Sequence, residues 1–233
     1  VDFTHAGDLL LFTDAEQLEA LNTLMSERGY LDGSRMANVF NMLRPRDLIW
    51  PYIVNNYLLG KKPFPFDLLY WNQDSTRMAA ANHAFYLREF YNHNRLSAGT
   101  LSIAGTRLDM HKVKLPVYEL ATKEDHIAPA RSVFAGAQLF GGDVEFVLSG
   151  SGHIAGVVNP PDKMKYQYWA DGKRAAKSLE QWLASAKEHP GSWWPHWTEW
   201  LAKHSGEWTV PREPGETMGV IEDAPGAYVK TKS

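Results

Sequence analysis

The stretch Leu115–Pro160 limits the possible fold more than any other part of the chain. Two apolar runs within it, Val117–Ala121 and Val144–Leu148, read as short buried strands. Each runs into a polar turn: Lys123-Glu124-Asp125-His126 after the first, and Ser149-Gly150-Ser151-Gly152-His153 after the second. Between them, Ala130–Phe140 predicts a helix stopped by Gly141-Gly142. Strand, helix and strand make a βαβ unit. In an open α/β sheet, ligands bind at the carboxyl ends of the strands. Asp125 and His153 sit at matching strand ends, so they are expected as neighbours in space.

The region before this unit has a different texture. Thr13-Asp14-Ala15-Glu16 reads as a helix start, with a cap residue and acids in the first turn. Leu18, Leu21, Leu24 and Met25 follow at helical spacing, and Gly29 stops the helix. A second helix is expected after Asp32-Gly33, with Met36, Val39, Phe40 and Leu43 on one face and Pro45 as its breaker. Leu48–Leu59 is apolar and aromatic, Lys61–Met78 is Pro-interrupted and reads as irregular, and Asn82–Asn94 is helical in period. Residues 99–113 suggest a short hairpin. The aromatic residues Tyr52, Tyr57, Phe64, Phe66, Tyr70, Trp71, Phe85, Tyr86, Phe90 and Tyr91 are expected to form a core for this part.

After the βαβ unit, Pro160-Pro161 marks a turn. Ser178–Lys187 predicts an amphipathic helix capped by Ser178. Trp193, Trp194, Trp197, Trp200 and Leu201 share a helical face, expected to pack on the domain; the alternative is contact with an apolar surface. From Ser205 the chain is polar and rich in Pro and Gly, as an extended tail is. The expected organisation is a helical cap over residues 1–112, the C-terminal part of an α/β core over 113–204, and a tail over 205–233.

Charge and composition exclude several functions. The net charge of −3, with both signs interspersed, leaves no nucleic-acid footprint. No apolar run reaches the ~18 residues expected of a membrane helix. The opening VDFTHAGDLL has no basic segment, so it is not expected to be a signal peptide and reads as mid-chain sequence. With no cysteine, the chain can make no disulfide and no cysteine-ligated metal site. A phosphate loop of the Walker type, a GxGxxG turn and an HExxH helix are all lacking. His5, His83, His93, His111, His189, His196 and His204 are scattered, and no metal is expected.

Asp125 could simply cap the helix that follows it. Read chemically, it orients a histidine or assists proton transfer. His126 beside it is more simply a structural or surface histidine. His153 could likewise be a satisfied core histidine. Yet the small residues before it let the backbone turn tightly and leave the imidazole uncovered. An acid after one strand and a histidine after a later one match the order nucleophile, acid, histidine of α/β-hydrolases. The nucleophile should precede both, on a G-x-[SC]-x-G elbow. Ser26, Ser34, Ser75, Ser97 and Ser102 lie outside any such elbow, so the nucleophile is expected before Val1.

Longer motifs carry a resemblance. They are Leu43-Arg44-Pro45-Arg46-Asp47-Leu48-Ile49-Trp50, Pro65-Phe66-Asp67-Leu68-Leu69-Tyr70-Trp71-Asn72 and Glu124-Asp125-His126-Ile127. Further on come Ser151-Gly152-His153-Ile154-Ala155-Gly156-Val157-Val158-Asn159-Pro160-Pro161, Gly191-Ser192-Trp193-Trp194-Pro195 and Ala224-Pro225-Gly226-Ala227-Tyr228-Val229-Lys230. In this order they resemble the C-terminal part of polyhydroxyalkanoate synthases, class I above all. The resemblance implies the C-terminal half of an α/β-hydrolase core with a mainly helical cap insertion. It implies polymerisation of (R)-3-hydroxyacyl-CoA into polyester with release of coenzyme A, through a Cys–Asp–His triad. By motif, Asp125 is the triad aspartate and His153 the triad histidine. No cofactor is implied, since the coenzyme A thioester is the substrate. The implied setting is a cytoplasmic homodimer at the surface of a polyester granule, holding the growing chain. Two other readings are an esterase or depolymerase of the same fold, and a non-catalytic module that pairs subunits or holds granules.

Overall fold

In the computed structural model, residues 2–43, 45–63 and 76–231 are described. They divide into two units, Val1–Glu27 with Ala80–Ser205, and Arg28–Ala79 with Gly206–Ser233. The motif at 65–72 and most of Lys61–Met78 lie outside the described residues, as do Phe64, Phe66, Tyr70 and Trp71.

The first unit is built on a sheet of four strands. They are β1 (Val117–Thr122), β2 (Val144–Ser149), β3 (Gln167–Ala170) and β4 (Lys187–Pro190), adjacent in that order. β1 and β2 are parallel, in register from Val117 opposite Val144 to Thr122 opposite Ser149. β2–β3 and β3–β4 are antiparallel. Helix α1 (Ala130–Ala137) makes the crossover between the parallel pair, which two-residue turns cannot join. Two further helices are α2 (Leu179–Leu183) and α3 (Trp194–His204).

Alternation along the strands sorts the core into two layers. Ala121, Phe146, Leu148 and Trp169 pack with Val133, Phe134 and Ala137 of α1 and Trp182 of α2. The Phe146 ring stands edge-on to Phe134 at 5.1 Å and to Trp182 at 4.8 Å. Burying each of these large apolar side chains contributes about 1.5–3 kcal/mol. On the other layer Val147, Tyr168 and Ala170 pack with Trp193, joined by Tyr118, Leu120 and Trp194. The result is a mixed sheet with two hydrophobic clusters, an α/β core.

Glycine is required where α1 returns to β2. A Cβ on Gly142 would stand 2.6 Å from the carbonyl oxygens of both Lys114 and Leu115. The pair Gly141-Gly142 thus lets the chain pass close beneath the segment that feeds β1.

The helix ends differ from expectation in an informative way. α1 ends at Ala137, and α2 stops at Leu183 rather than continuing to Lys187. Ser178 caps α2 as expected, accepting from the Gln181 N–H. The amphipathic pattern overshoots because Lys187–Pro190 is drawn into β4, pairing Ala170 with Lys187 and Gln167 with Pro190. Neither β3 nor β4 was expected. The tryptophan face packs in part: Trp193 is buried and Trp200 meets the Tyr118 ring at 5.5 Å, whereas Trp197 is exposed.

The same unit contains helix Ala15–Ser26, whose first turn is capped by Asp14 accepting from the Gln17 N–H at 2.9 Å. Ala80–Tyr86 is α-helical and runs on as a wider π-helical turn, Leu87–Asn92. Phe3 packs among Tyr86, Phe90 and Tyr91. The N-terminal segment is tied to α1, with the Asp2 N–H donating to the Ser132 carbonyl at 2.8 Å. Ser102–Ile103 and Thr106–Arg107 form the expected hairpin.

In the second unit, helix Gly33–Leu43 is followed by Pro45–Leu48, with proline at the new helix's start. Trp50–Tyr52 leads into a π-helical run, Ile53–Leu58. Tyr30–Leu31 pairs antiparallel with Met78–Ala79, and the Arg77 guanidinium sits 4.8 Å from the Tyr30 ring centre. Tyr52 and Tyr57 are exposed, not part of a core, which corrects that expectation. Helical spacing places them on the helix but does not say which face is covered. The segment after Ser205 is largely turns with exposed side chains.

Candidate active site

The carboxyl ends of β1 and β2 continue as two turns laced together by backbone. The Lys123 N–H donates to the Ser149 carbonyl at 2.8 Å, and the Glu124 N–H to the Ser151 carbonyl at 3.0 Å. The parallel ladder therefore extends past both strands and fixes one turn against the other. On this frame His153 Nδ1 lies 2.8 Å from Asp125 Oδ2.

Asp125 closes its own turn. Its Oδ1 accepts from the backbone N–H of Ile127 at 2.8 Å and of Ala128 at 2.9 Å. Its Oδ2 accepts from the Thr122 hydroxyl at 3.2 Å as well as meeting His153. The Asp125 side chain is 7% exposed, against 44% for His153. Burial alone pushes this carboxyl up. The Ala128 N–H, the His153 hydrogen bond, the Ile127 N–H and the His153 charge together outweigh burial and hold it below the ordinary aspartate value. Asp125 is thus a carboxylate at neutral pH, with its Oδ2 facing the imidazole. His126 stands in the same turn, half-buried.

The loop bearing His153 is held differently. Ser151 adopts a left-handed conformation, φ +70°, that turns the chain back toward Asp125. The Ser149 hydroxyl donates to the Gly156 carbonyl at 2.7 Å. The Trp193 indole N–H is shared between the carbonyls of Gly156 and Val157, both at 3.2 Å. The Trp194 indole donates to Val157 at 2.9 Å. The buried Asn159 donates to the Lys165 carbonyl at 2.9 Å and closes the loop's far end. Gly156 has no room for a side chain: a Cβ would stand 2.6 Å from Thr122 Cγ2 and 2.7 Å from the Gly150 carbonyl. These four supports, Ser149, Trp193, Trp194 and Asn159, escaped the sequence reading. The one available signal was that two tryptophans follow a Gly-Ser pair, next to a helix start.

With Nδ1 turned to Asp125, His153 presents Nε2 outward; among the described residues it has no hydrogen-bond partner. A buried carboxylate behind an imidazole fixes the ring's orientation and tautomer and stabilises its protonated form. The same loop carries two exposed apolar side chains, Ile154 and Val158. The arrangement can take a proton from a nucleophile and return it to a leaving group. The chain's own sequence has no cysteine, and the described residues put no serine against His153.

One further cluster of possible ligands lies at the opposite end of β2. Glu145, Asp171 and His196 bring one donor atom each to within 4.8 Å of one another. His196 Nδ1 is 3.0 Å from the Tyr118 hydroxyl, and its Nε2 is 4.0 Å from Glu145 Oε1. Burial, chiefly, raises the Glu145 carboxyl above its ordinary value. Sequence spacing could not show this group, because its members come from β2, the turn after β3 and α3.

No protein-family model matches the chain. Individual proteins do match it, from end to end. It is 59% identical to the poly(3-hydroxyalkanoate) polymerase subunit PhaC of Rhizobium etli, over 100% of this chain and 37% of that protein. It is 56% identical to the poly(3-hydroxyalkanoate) polymerase of Methylorubrum extorquens, over 100% of this chain and 39% of that one. Against the PhaC subunit of Cupriavidus necator the identity is 42%, over 100% of this chain and 41% of that protein. The chain thus spans about two-fifths of the length of the relatives it matches. It is a homologue, along its whole length, of the PhaC poly(3-hydroxyalkanoate) polymerases.

Proposed function

We propose that these residues form the acid–base part of a class I polyhydroxyalkanoate synthase, within an α/β-hydrolase core carrying a helical cap. The observation that carries the reading is the 2.8 Å contact between His153 Nδ1 and Asp125 Oδ2 at the ends of parallel strands. It lies in a chain 59% identical to a poly(3-hydroxyalkanoate) polymerase subunit. Asp125 and His153 are the acid and the base, and a cysteine thiol supplied by polypeptide outside these residues is the nucleophile.

His153 Nε2 takes the thiol proton as the sulfur attacks the thioester carbonyl of an (R)-3-hydroxyacyl-CoA. The C–S bond to coenzyme A breaks, and the proton on Nε2 passes to the departing thiolate. Exchange of one thioester for another is nearly balanced in energy, so the acyl group stays activated on the enzyme. The 3-hydroxyl of another acyl unit then attacks it, forming an ester bond and freeing the cysteine. Asp125 steadies the imidazolium in the first step. In the second it assists deprotonation of that hydroxyl, directly or through His153. The 1–112 cap, the 113–204 core part and the tail are the divisions that go with this reading. So does a homodimer at the surface of a cytoplasmic polyester granule. None of the described helices is long and apolar enough to cross a membrane. The 233 residues alone, having no cysteine, are inactive on this account.

The test is product analysis with the full-length protein and (R)-3-hydroxybutyryl-CoA. Free coenzyme A together with an insoluble polyester is the expected result. Coenzyme A accompanied by free hydroxy acid and no polymer would replace the synthase with a hydrolase.

A further inference from the structure

We propose that Thr122 is a positioning residue of this site, whose hydroxyl holds Asp125 Oδ2 in the place from which it meets His153. The proposal rests on the reading of Asp125 and His153 as acid and base. It starts from a break in a pattern. On one face of the sheet Leu120 of β1 and Val147 of β2 are apolar and pack in the layer of Trp193. The next residue on that face of each strand carries a hydroxyl: Thr122 on β1 and Ser149 on β2, opposite one another in the parallel register. Both are buried, at 2% and 1% exposure. A valine would continue the apolar row and suits a strand equally well. A hydroxyl buried there is costly unless it is hydrogen-bonded.

Each hydroxyl goes to one of the two turns that make the site. Thr122 Oγ1 donates to Asp125 Oδ2 at 3.2 Å. Ser149 Oγ donates to the Gly156 carbonyl at 2.7 Å, in the loop that bears His153. The Thr122 bond matters for the chemistry because of the atom it reaches. Asp125 Oδ1 is fixed by the N–H groups of Ile127 and Ala128. Oδ2 has two partners, the Thr122 hydroxyl and the His153 imidazole. Without the hydroxyl, Oδ2 is restrained on that side only by the ring that it has to orient.

The same side chain has a second contact. Its Cγ2 fills space that a side chain at Gly156 would need. One residue thus touches both the Asp125 turn and the His153 loop. Buried as it is, it acts through them and not on the substrate.

The test is kcat and KM for coenzyme A release from (R)-3-hydroxybutyryl-CoA by the full-length protein. Thr122→Val keeps the branched shape and removes the hydroxyl. It should lower kcat about 2- to 10-fold, the worth of one hydrogen bond, with KM unchanged, because the base's orientation is felt in the transition state. Thr122→Ser keeps the hydroxyl and should retain most of the rate. Ser132→Ala also loses a hydrogen bond from a buried hydroxyl, to the Asp2 carbonyl, and should leave kcat unchanged. Should Thr122→Val fail to fold, Thr122→Ser and Thr122→Ala make the comparison, since both lack the methyl and differ in the hydroxyl; the alanine variant should be the slower. An unchanged kcat in Thr122→Val would overturn the proposal. So would a loss in Thr122→Ser as large as in the hydroxyl-free variant, or an equal fall in Ser132→Ala. Failure of the underlying reading looks different: His153→Ala would then keep its rate, and the proposal would fall with it. An inactive His153→Ala beside a fully active Thr122→Val overturns the role of Thr122 alone.

Discussion

The Asp125 turn and the His153 loop meet at one hydrogen bond but are built on opposite plans. Asp125 is held by its near neighbours: the hydroxyl of Thr122 before it, and the N–H groups of Ile127 and Ala128 after it. His153 is held from far along the chain, by indoles of Trp193 and Trp194 gripping the carbonyls of Gly156 and Val157. The acid is buried and the imidazole is exposed. The difference teaches that the carboxylate is the fixed reference of the site. The imidazole is positioned by a loop whose stability is borrowed from α3.

Substitutions can break that comparison, and the largest effect is expected at Gly156. Gly156→Ala puts a methyl group into Thr122 Cγ2 and the Gly150 carbonyl, so the loop must shift. A loss of about 1–3 kcal/mol in chemical denaturation is expected, with His153 moved off Asp125. Next comes Asp125→Ala, which leaves the Ile127 and Ala128 N–H groups without their acceptor. It should cost about 1–3 kcal/mol by the same measurement. Trp194→Phe keeps a six-membered aromatic ring but loses the pyrrole half of the indole, and with it the donor to Val157. It should cost about 0.5–1.5 kcal/mol and lower coenzyme A release more than Ser178→Ala. The latter removes the cap of α2 at similar cost and leaves the His153 loop intact. Equal activity loss in the two variants would show that loop support is not what matters.

The smallest effect is on pH dependence. The Asp125 carboxyl is held below its ordinary value of 3.8 in the folded protein. Its contribution to stability is therefore fully present above 3.8 and is lost as pH falls through the lower folded-state value. The stability gap between the unaltered protein and Asp125→Asn should accordingly narrow as acid unfolding is followed below 3.8. A gap that widens there would reverse the assigned direction.

These plans also decide what the sequence could reveal. β1, α1 and β2 were legible because two apolar runs flank a helical pattern closed by Gly141-Gly142. The Asp125 turn was legible too, since its partners are adjacent. β3 was not, because Gln167–Ala170 is short and carries no turn signal that marks a strand. β4 was hidden by its composition: Lys187-Glu188-His189-Pro190 reads as the end of a helix. Proline is tolerated there because β4 lies at the edge of this four-stranded sheet. The tryptophan face was expected to pack, but its indole N–H groups reach across thirty-seven positions to their farthest acceptors. No local pattern encodes such a contact. The same holds for Glu145, Asp171 and His196, which only the folded sheet assembles.

The central claim is that His153, oriented by Asp125, is the base of a thioester-exchanging enzyme. The most direct measurement is the rate of coenzyme A release from (R)-3-hydroxybutyryl-CoA by full-length protein carrying His153→Ala. The account predicts a fall of about 10²–10⁴-fold, the span of general-base catalysis, with the fold retained by circular dichroism. Release at close to the unaltered rate by a folded His153→Ala protein would contradict it.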